Sequence, residues 1–499
     1  MENYEMNSNL LEKELNKSRN DFTKQDIMNF IENSKIRMLN FRYIGGDGRL
    51  KTLNFNINSK KHIDELLSTG ERVDGSSLFS YVEASSSDLY VMPRYRTAFV
   101  NPFSEIPTLD ILCSYFDKDG QPLASSSDYV MRKANEALEK STGLTLQAMG
   151  ELEYYVISQK DPNFAAVEQK GYHESMPFAK SEKFRCEAMQ AIAQAGGLIK
   201  YGHSEVGNFI INDISYEQNE IEFTPTSVED AADNLLLAKW ILRMLAYKHG
   251  VTVSFTPKIS VGKAGSGLHI HYRLLKDGKN IMIEGNKLSD IAKKSIAGIL
   301  DLAPSLTAFG NTLPISYLRL VPHQEAPTSI CWGDRNRSVL VRVPLGWLGS
   351  NEMAQIANPQ DKTQLQTAVN KQTVEFRCPD GSADIYLLLA GLSVAIRHGI
   401  EMKDALKLAE KLYVNVNIFK DEHADVASKL KNLPVSCCDS ADCLNEQRSI
   451  YQKDNIFTKG TVDGIIQKLK SYDDKNLSER LYRNHEEIKK MVNTNLHCA

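Results

Sequence analysis

The sequence predicts an α+β fold in which long amphipathic helices pack on one side of a mainly antiparallel sheet. Three observations carry that expectation. Short strand-like runs (LTLQAMGELEYYVI from Leu144, GVTVSFTPKI from Gly250, GSGLHIHYRLL from Gly265, SVLVRVPLGWL from Ser338, QTVEFRCP from Gln372) are interspersed with long helical stretches instead of alternating strictly with them. The helical stretches, VEDAADNLLLAKWILRMLAYKHG from Val228 and ADIYLLLAGLSVAIRHGIEMKDALKLAEKLY from Ala383, repeat apolar residues at helical spacing. Near the start, IRMLNFRYI and RLKTLNFNI flank the turn Gly45-Gly46-Asp47-Gly48, the pattern of a β-hairpin.

Taken in order, residues 1–34 read as a polar helical extension with Ile27, Phe30 and Ile31 at helical spacing. Residues 35–125 read as a small α+β domain: the hairpin, a helix in SKKHIDELLSTG, then extended chain through Pro107. Residues 126–499 form the second domain, opening on the helix in SSSDYVMRKANEALEKSTG with its glycine stop. Within it, residues 351–371 are polar and read as a surface insertion, and residues 436–499 as a charged helical part. No repeat of fixed period is visible.

The 499 residues suffice for two or more well-buried cores, and 42% apolar with 24% charged content is ordinary for a globular protein. A net charge of -4 gives no basic footprint for nucleic acid. No apolar run approaches the roughly 20 residues that span a bilayer, and the charged N-terminus lacks the apolar core of a secretory signal. The expectation is a cytoplasmic chain that binds neither nucleic acid nor membrane. The eight cysteines (Cys113, Cys186, Cys331, Cys378, Cys437, Cys438, Cys443, Cys498) include no CxxC pair, and no histidine follows the last cluster at zinc-finger spacing. They read as reduced structural thiols.

The chemistry lies in short strand segments that place metal-capable side chains two residues apart: Glu151 and Glu153, His203 and Glu205, Glu220 and Glu222, His269 and His271. Glu375 and Arg377 mix a carboxylate with a cation. Residues i and i+2 of a strand share a face. One such pair is ordinarily a solvated sheet face, and His269 and His271 alone are ordinary polar strand residues. Several acids on one face, however, repel unless cations sit between them. Oxygen-rich sites with one or two imidazoles suit magnesium or manganese better than zinc. Gly265-Ser266-Gly267 before the histidine strand suggests close approach of backbone to a ligand. Arg319, Arg337, Arg342 and Arg377 form a complementary set fitted to clamp phosphate and carboxylate oxygens, while Arg335 fits a salt-laced surface equally well.

These segments resemble the bacterial (type I) glutamine synthetase family from about Ile36 to Ile400. VDGSS with SSSDLYVMP resembles the DGSS segment and its sequel, GELEYY resembles GPEPEFF, and HSEV and EQNEIEF resemble HHEV and GQNEI. AGSGLHIH resembles NGSGMHCH, and SYLRLVPHQEAP, DRNRSVLVRVP and VEFRCPD resemble the remaining blocks, all in family order.

The resemblance implies an N-terminal β-grasp domain and a catalytic domain with a curved, mainly antiparallel sheet flanked by helices. It also implies active sites between neighbouring subunits of a homo-oligomer, a dodecamer of two hexameric rings. One Mg2+ or Mn2+ would sit on Glu153, Glu205 and Glu220, and a second on Glu151, His269 and Glu375 beside the ATP phosphates. L-Glutamate would attack ATP to give γ-glutamyl phosphate, with Arg337 and Arg342 neutralising charge and His271 on the ATP side. Gly265, Arg319, Glu325 and Arg377 would contact the glutamate. Asp74 of the adjacent subunit would take a proton from ammonium, and Glu325, on a flap, would exclude water and accept a proton.

Three departures from the family pattern stand out: Ala264 for the usual Asn, Arg273 for a Ser near the nucleotide, and Gln372-Thr373 for a basic pair. They leave three readings open. These are a glutamine synthetase proper, a γ-glutamyl ligase for a larger amine such as a polyamine, and a non-catalytic structural or regulatory relative. KLYVNV only faintly echoes the type I regulatory tyrosine segment, which makes Tyr413 a poor candidate for nucleotidyl modification.

Overall fold

A computed structural model describes residues 6–79, 87–321, 326–346, 350–361, 371–481 and 484–498. The chain opens with α1 (Leu10–Leu15), capped by Asn9, and α2 (Lys24–Asn33), whose Thr23 and Asp26 form a reciprocal capping box. The apolar stripe of Ile27, Phe30 and Ile31 is buried, and with Leu11 and Met28 it joins the core of the N-terminal domain. That domain contains β1 (Met38–Ile44), β2 (Leu50–Asn56), α3 (Lys60–Thr69), β3 (Glu71–Asp74) and α4 (Gly75–Leu78). It continues with β4 (Asp88–Pro93), β5 (Phe99–Val100) and β6 (Thr108–Phe116). The sheet order is β2-β1-β6-β4-β3, with β5 on β6. β1 and β2 form the expected hairpin, and the central β1–β6 pair is parallel.

After α5 (Ser127–Thr142) comes β7 (Thr145–Gln159), then α6 (Glu182–Gln194), β8 (Ile199–Ile211), β9 (Ile214–Phe223), β10 (Thr226–Ser227) and α7 (Val228–His249). β11 (Thr252–Ser254), β12 (Leu268–Lys276), β13 (Lys279–Asn280) and the ribbon β14 (Ile283–Glu284) with β15 (Lys287–Leu288) lead to α8 (Asp290–Gly310). β16 (Trp332–Asp334), β17 (Val341–Val343), α9 (Ser350–Ala357) and β18 (Val374–Phe376) follow. The rest is helical: α10 (Ile385–Glu401), α11 (Ala405–Lys411), α12 (Ala424–Ala427), α13 (Cys437–Gln452), α14 (Lys459–Lys470), α15 (Leu477–Leu481) and α16 (His485–Asn495).

The ten-stranded sheet runs β16-β17-β18-β12-β7-β9-β8, with β10 and β11 on β7 and β13 on β12. All its pairings are antiparallel except β16–β17. One face, with Leu146, Ala148, Leu152, Leu268, Ile270 and Tyr272, packs into the large core beneath α5, α7, α8 and α10. The opposite face carries the polar alternates.

Two expected elements are shorter than their apolar runs. β17 ends at Val343 because Pro344 has no N–H for the ladder. The helical run from Ala383 breaks between α10 and α11, which meet at 107° around extended Met402. Of the expected insertion, residues 351–357 belong to exposed α9, and residues 362–370 lie outside the described residues. All eight cysteines are free thiols. Among the described residues no single helix is long and apolar enough to cross a membrane.

Candidate active site

β7 is the spine of the site. Its antiparallel registers set Glu151 opposite His269 of β12 on one side and opposite Glu222 of β9 on the other. Glu153 faces Glu220. β8 extends both rows, with His203 opposite Glu220 and Tyr201 opposite Glu222. On the far side of β12, β18 brings Glu375 opposite His271, and β17 brings Arg342 opposite Glu375. Strand alternation thus gathers on one face residues that lie more than 200 positions apart in sequence. A bulge between Ser204 and Asn208 re-aims β8 just where Glu205 sits. Gly207 permits it, since a Cβ there would fall 2.0 Å from the Tyr155 hydroxyl.

Two groups of donors have atoms within 4.8 Å of one another: Glu151, His269 and Glu375, and His203, Glu205 and Glu220. In the first, His269 Nδ1 lies 2.9 Å from Glu151 and 3.5 Å from Glu375, and His271 Nε2 lies 2.8 Å from Glu151. His271 Nδ1 is 3.0 Å from the Thr373 hydroxyl. In the second, His203 Nε2 lies 3.1 Å from Glu220. The resemblance implies that Glu153 groups with Glu205 and Glu220. The structure sets it between the groups, its Oε2 accepting from Gln218 Nε2 at 3.0 Å and from the Gly267 amide at 2.8 Å. His203, noted in the sequence only as half of a strand pair, and Gln218 are the residues given no role there. The signal for His203 was its place two residues before Glu205.

The electrostatics differ across the face. Burial, and then the charges of Glu151, Glu153, Glu205 and Glu222, push the Glu220 carboxyl well above the carboxylate range. Burial also works against Glu151, yet His271 and His269 outweigh it and hold that carboxyl well below its usual value. Glu375 is likewise buried but is drawn down chiefly by Arg377, whose Nη1 is 2.5 Å away, with Arg342 Nη1 at 2.8 Å. Burial lowers His203, favouring the neutral imidazole that ligates metals.

Among the described residues, six carboxylates (Glu151, Glu153, Glu205, Glu220, Glu222, Glu375) share this face with three cations that pair with them, Lys200, Arg342 and Arg377. Among the described residues, buried Glu222 Oε2 has no hydrogen-bond partner. A surplus of hard oxygen donors with one imidazole in each group fits divalent Mg2+ or Mn2+.

Around this floor, Arg319 is buried, donating to the Cys378 carbonyl at 2.8 Å, with Nη2 3.4 Å from His269 Nε2. Gly265 and Gly267 make room for it: Cβ atoms there would fall 2.9 Å and 2.6 Å from the Arg319 side chain. The Gly265 carbonyl accepts from Gln218 at 2.9 Å. Arg337 is exposed and lies near enough to Tyr172 for its charge to act on that hydroxyl. Asp74 is exposed on the N-terminal domain, where it caps α4 and accepts from the Ser76 and Ser77 hydroxyls at 2.7 and 2.6 Å. Those hydroxyls and that of Ser87 hold its carboxyl below the usual range. Among the described residues it makes no contact with the acid groups of its own chain. Glu325 lies outside the described residues.

Residues 126–487 match the family model for the glutamine synthetase catalytic domain, and residues 35–118 that for the glutamine synthetase beta-Grasp domain. The chain is similar to a glutamine synthetase of Clostridium saccharobutylicum, 29% identical over 434 residues covering 85% of this chain and 90% of the other. It is also similar to that of Microchaete diplosiphon, 30% identical over 480 residues covering 89% and 94%. Among solved structures it superposes on the cryo-EM structure of Plasmodium falciparum glutamine synthetase with TM-score 0.73 at 20% identity, covering 91% and 96%. It superposes on ligand-free GmaS with TM-score 0.73 at 17% identity, covering 91% and 97%. The structural matches show a shared fold.

Proposed function

The chain belongs to the glutamine synthetase family, and on that premise we propose that it joins ammonia to the γ-carboxylate of L-glutamate at the expense of ATP. The product would be L-glutamine, with ADP and phosphate, by way of γ-glutamyl phosphate. The observation that carries this reading is the excess of carboxylates on one sheet face rimmed by arginines, six against three paired cations among the described residues.

In this proposal Glu151, His269 and Glu375 would hold one divalent cation. Glu153, Glu205 and Glu220, with His203 in reach of the last two, would hold the other. Bound there, the cations would neutralise the charge of the nucleotide phosphates and of the attacking carboxylate. The protein's own part is positioning and charge. Arg319 and Gly265 orient the amino-acid end of the substrate, and Arg377 stands beside its γ-carboxylate. Arg342 and Arg337 balance charge that builds on the transferring phosphoryl group, and His271 stands on the ATP side. Asp74, kept ionised by its serine hydroxyls, would act on the site of an adjacent subunit, taking a proton from ammonium before the free amine attacks. Glu325 would close the site against water and accept the proton released from the adduct. The working form would be a cytoplasmic homo-oligomer, a dodecamer of two six-membered rings.

The test is release of phosphate from ATP with Mg2+ or Mn2+, glutamate, and either ammonium or a panel of amines. Turnover should require glutamate and ammonium together. Turnover with an alkylamine but not ammonium would replace the acceptor. None at all, in a sample that binds both cation and ATP, would make the chain a non-catalytic relative. Asp74→Asn should lower turnover about 100-fold or more while leaving ATP binding intact.

A further inference from the structure

The loop between β7 and α6 brings one more imidazole to the His203–Glu205–Glu220 group. Gly171 lets that loop lie against β8, since a Cβ there would fall 2.5 Å from the Glu205 carbonyl oxygen. Two residues on, the His173 amide donates to the Ser204 carbonyl at 2.9 Å, and His203 Nδ1 lies 3.0 Å from the same oxygen. One carbonyl thus sets both histidines. A carbonyl oxygen only accepts, so His203 Nδ1 carries the proton and Nε2 presents its lone pair to Glu220, 3.1 Å away. A lone pair and a carboxylate oxygen at that distance repel unless a proton or a cation stands between them.

The His173 ring is placed to share that cation. Its centre lies 4.4 Å from that of His203, with the planes at 49°. Two imidazoles on adjacent positions of one octahedral ion, each nitrogen at about 2.1 Å, have ring centres roughly 4.6 Å apart. Tyr172 stacks on the His173 ring at 4.2 Å. Both nitrogens of His203 are engaged, whereas among the described residues neither ring nitrogen of His173 makes a hydrogen bond. A second imidazole changes what such a group prefers. Mg2+ favours oxygen ligands and retained water, while imidazole nitrogens raise affinity for first-row transition ions.

We infer that His173 is a further ligand of the cation held at His203, Glu205 and Glu220, and that it makes this site select a transition ion such as Mn2+ over Mg2+. This rests on the reading of the sheet face as a two-cation centre. The other centre has its own imidazole, His269, and is untouched by His173.

The test measures Mn2+ and Mg2+ binding, without nucleotide, by titration calorimetry on the full-length assembled protein and its His173→Asn variant. His173 has φ +58°, and asparagine tolerates that backbone while removing the imidazole. His173→Asn should weaken one Mn2+ site about 10- to 100-fold and leave Mg2+ affinity there within about threefold. Pulsed electron paramagnetic resonance of the Mn2+-filled protein should count three imidazole nitrogens per two ions in wild type, from His173, His203 and His269. The variant should show two. The metal-free melting temperature shows whether the variant is folded. If it is not, the wild-type count decides, and two nitrogens there would overturn the inference. Unchanged Mn2+ affinity in a folded variant, or an equal loss for Mn2+ and Mg2+, would overturn it too. A wild-type protein that binds neither ion would overturn the proposed function itself, and this inference with it.

Discussion

The seam between the N-terminal domain and α7 and the floor of the ten-stranded sheet both bury ionised groups, with opposite balances of charge. At the seam, Arg94 lies 2.9 Å from Asp233 and 3.1 Å from Glu229, Arg96 pairs with Glu229, Asp230 and Asp233, and Arg19 lies 2.8 Å from Asp230. The Tyr386 hydroxyl donates to Asp233 at 2.5 Å. Asp233 is buried, which alone would raise it, but Arg94 and Arg96 more than compensate and hold it low. On the floor, Glu220 is just as buried, and its neighbours are other glutamates, so it moves up. The seam pairs its charges within the chain, whereas on the floor the carboxylates outnumber their paired cations among the described residues. Burial of charge marks a candidate site when the balancing charge is missing.

The floor should show the largest effect. Glu151→Gln should lower turnover by about 100- to 1,000-fold, the range for losing one preorganised electrostatic group, in a variant that circular dichroism shows to be folded. At the seam the same kind of change should act on stability. Arg94→Ala leaves buried Asp233 and half-buried Glu229 under-paired and should cost about 3–5 kcal/mol in urea denaturation.

The pH dependence separates the two further. Asp233 is lower in the folded than in the unfolded chain, so its stabilisation is fully present above the ordinary carboxylate value. It is lost as pH falls through that value toward the folded one. Acid denaturation should therefore begin at higher pH in Asp233→Asn than in wild type, a difference that pH-dependent melting reads directly. The smallest effect should come from Glu220→Gln. Removing one of several repelling carboxylates should raise the metal-free melting temperature by about 1–2 °C while shrinking the rise that Mn2+ produces in wild type.

Much of the floor was legible in the sequence because a strand writes its faces with a period of two. Glu151 and Glu153, His269 and His271, and Glu220 with Glu222 each announced a shared face, and the structure delivers them to the same one. The period does not encode which residue of a neighbouring strand stands opposite. That depends on register and on the bulge between Ser204 and Asn208, which brings His203 beside Glu220 and leaves Glu153 bound to Gln218 and Gly267. The seam was invisible for a related reason. Arg94 and Asp233 lie 139 residues apart, and nothing local in either segment signals the other. The hairpin of β1 and β2 and the capping box of α2 are local and were readable as such. The full length of β17 was not, since its apolar run continues past the proline that ends its ladder.

Counting cations tests most directly whether the floor is a cation centre. Titration of the metal-free protein with Mn2+, followed by calorimetry or by the electron paramagnetic resonance of free Mn2+, should give two sites per chain. Glu151→Gln should abolish or strongly weaken one of them, and Arg94→Ala, wherever it remains folded, should keep both. A wild-type protein that binds no Mn2+, or a Glu151→Gln variant that binds both ions as wild type does, would contradict it.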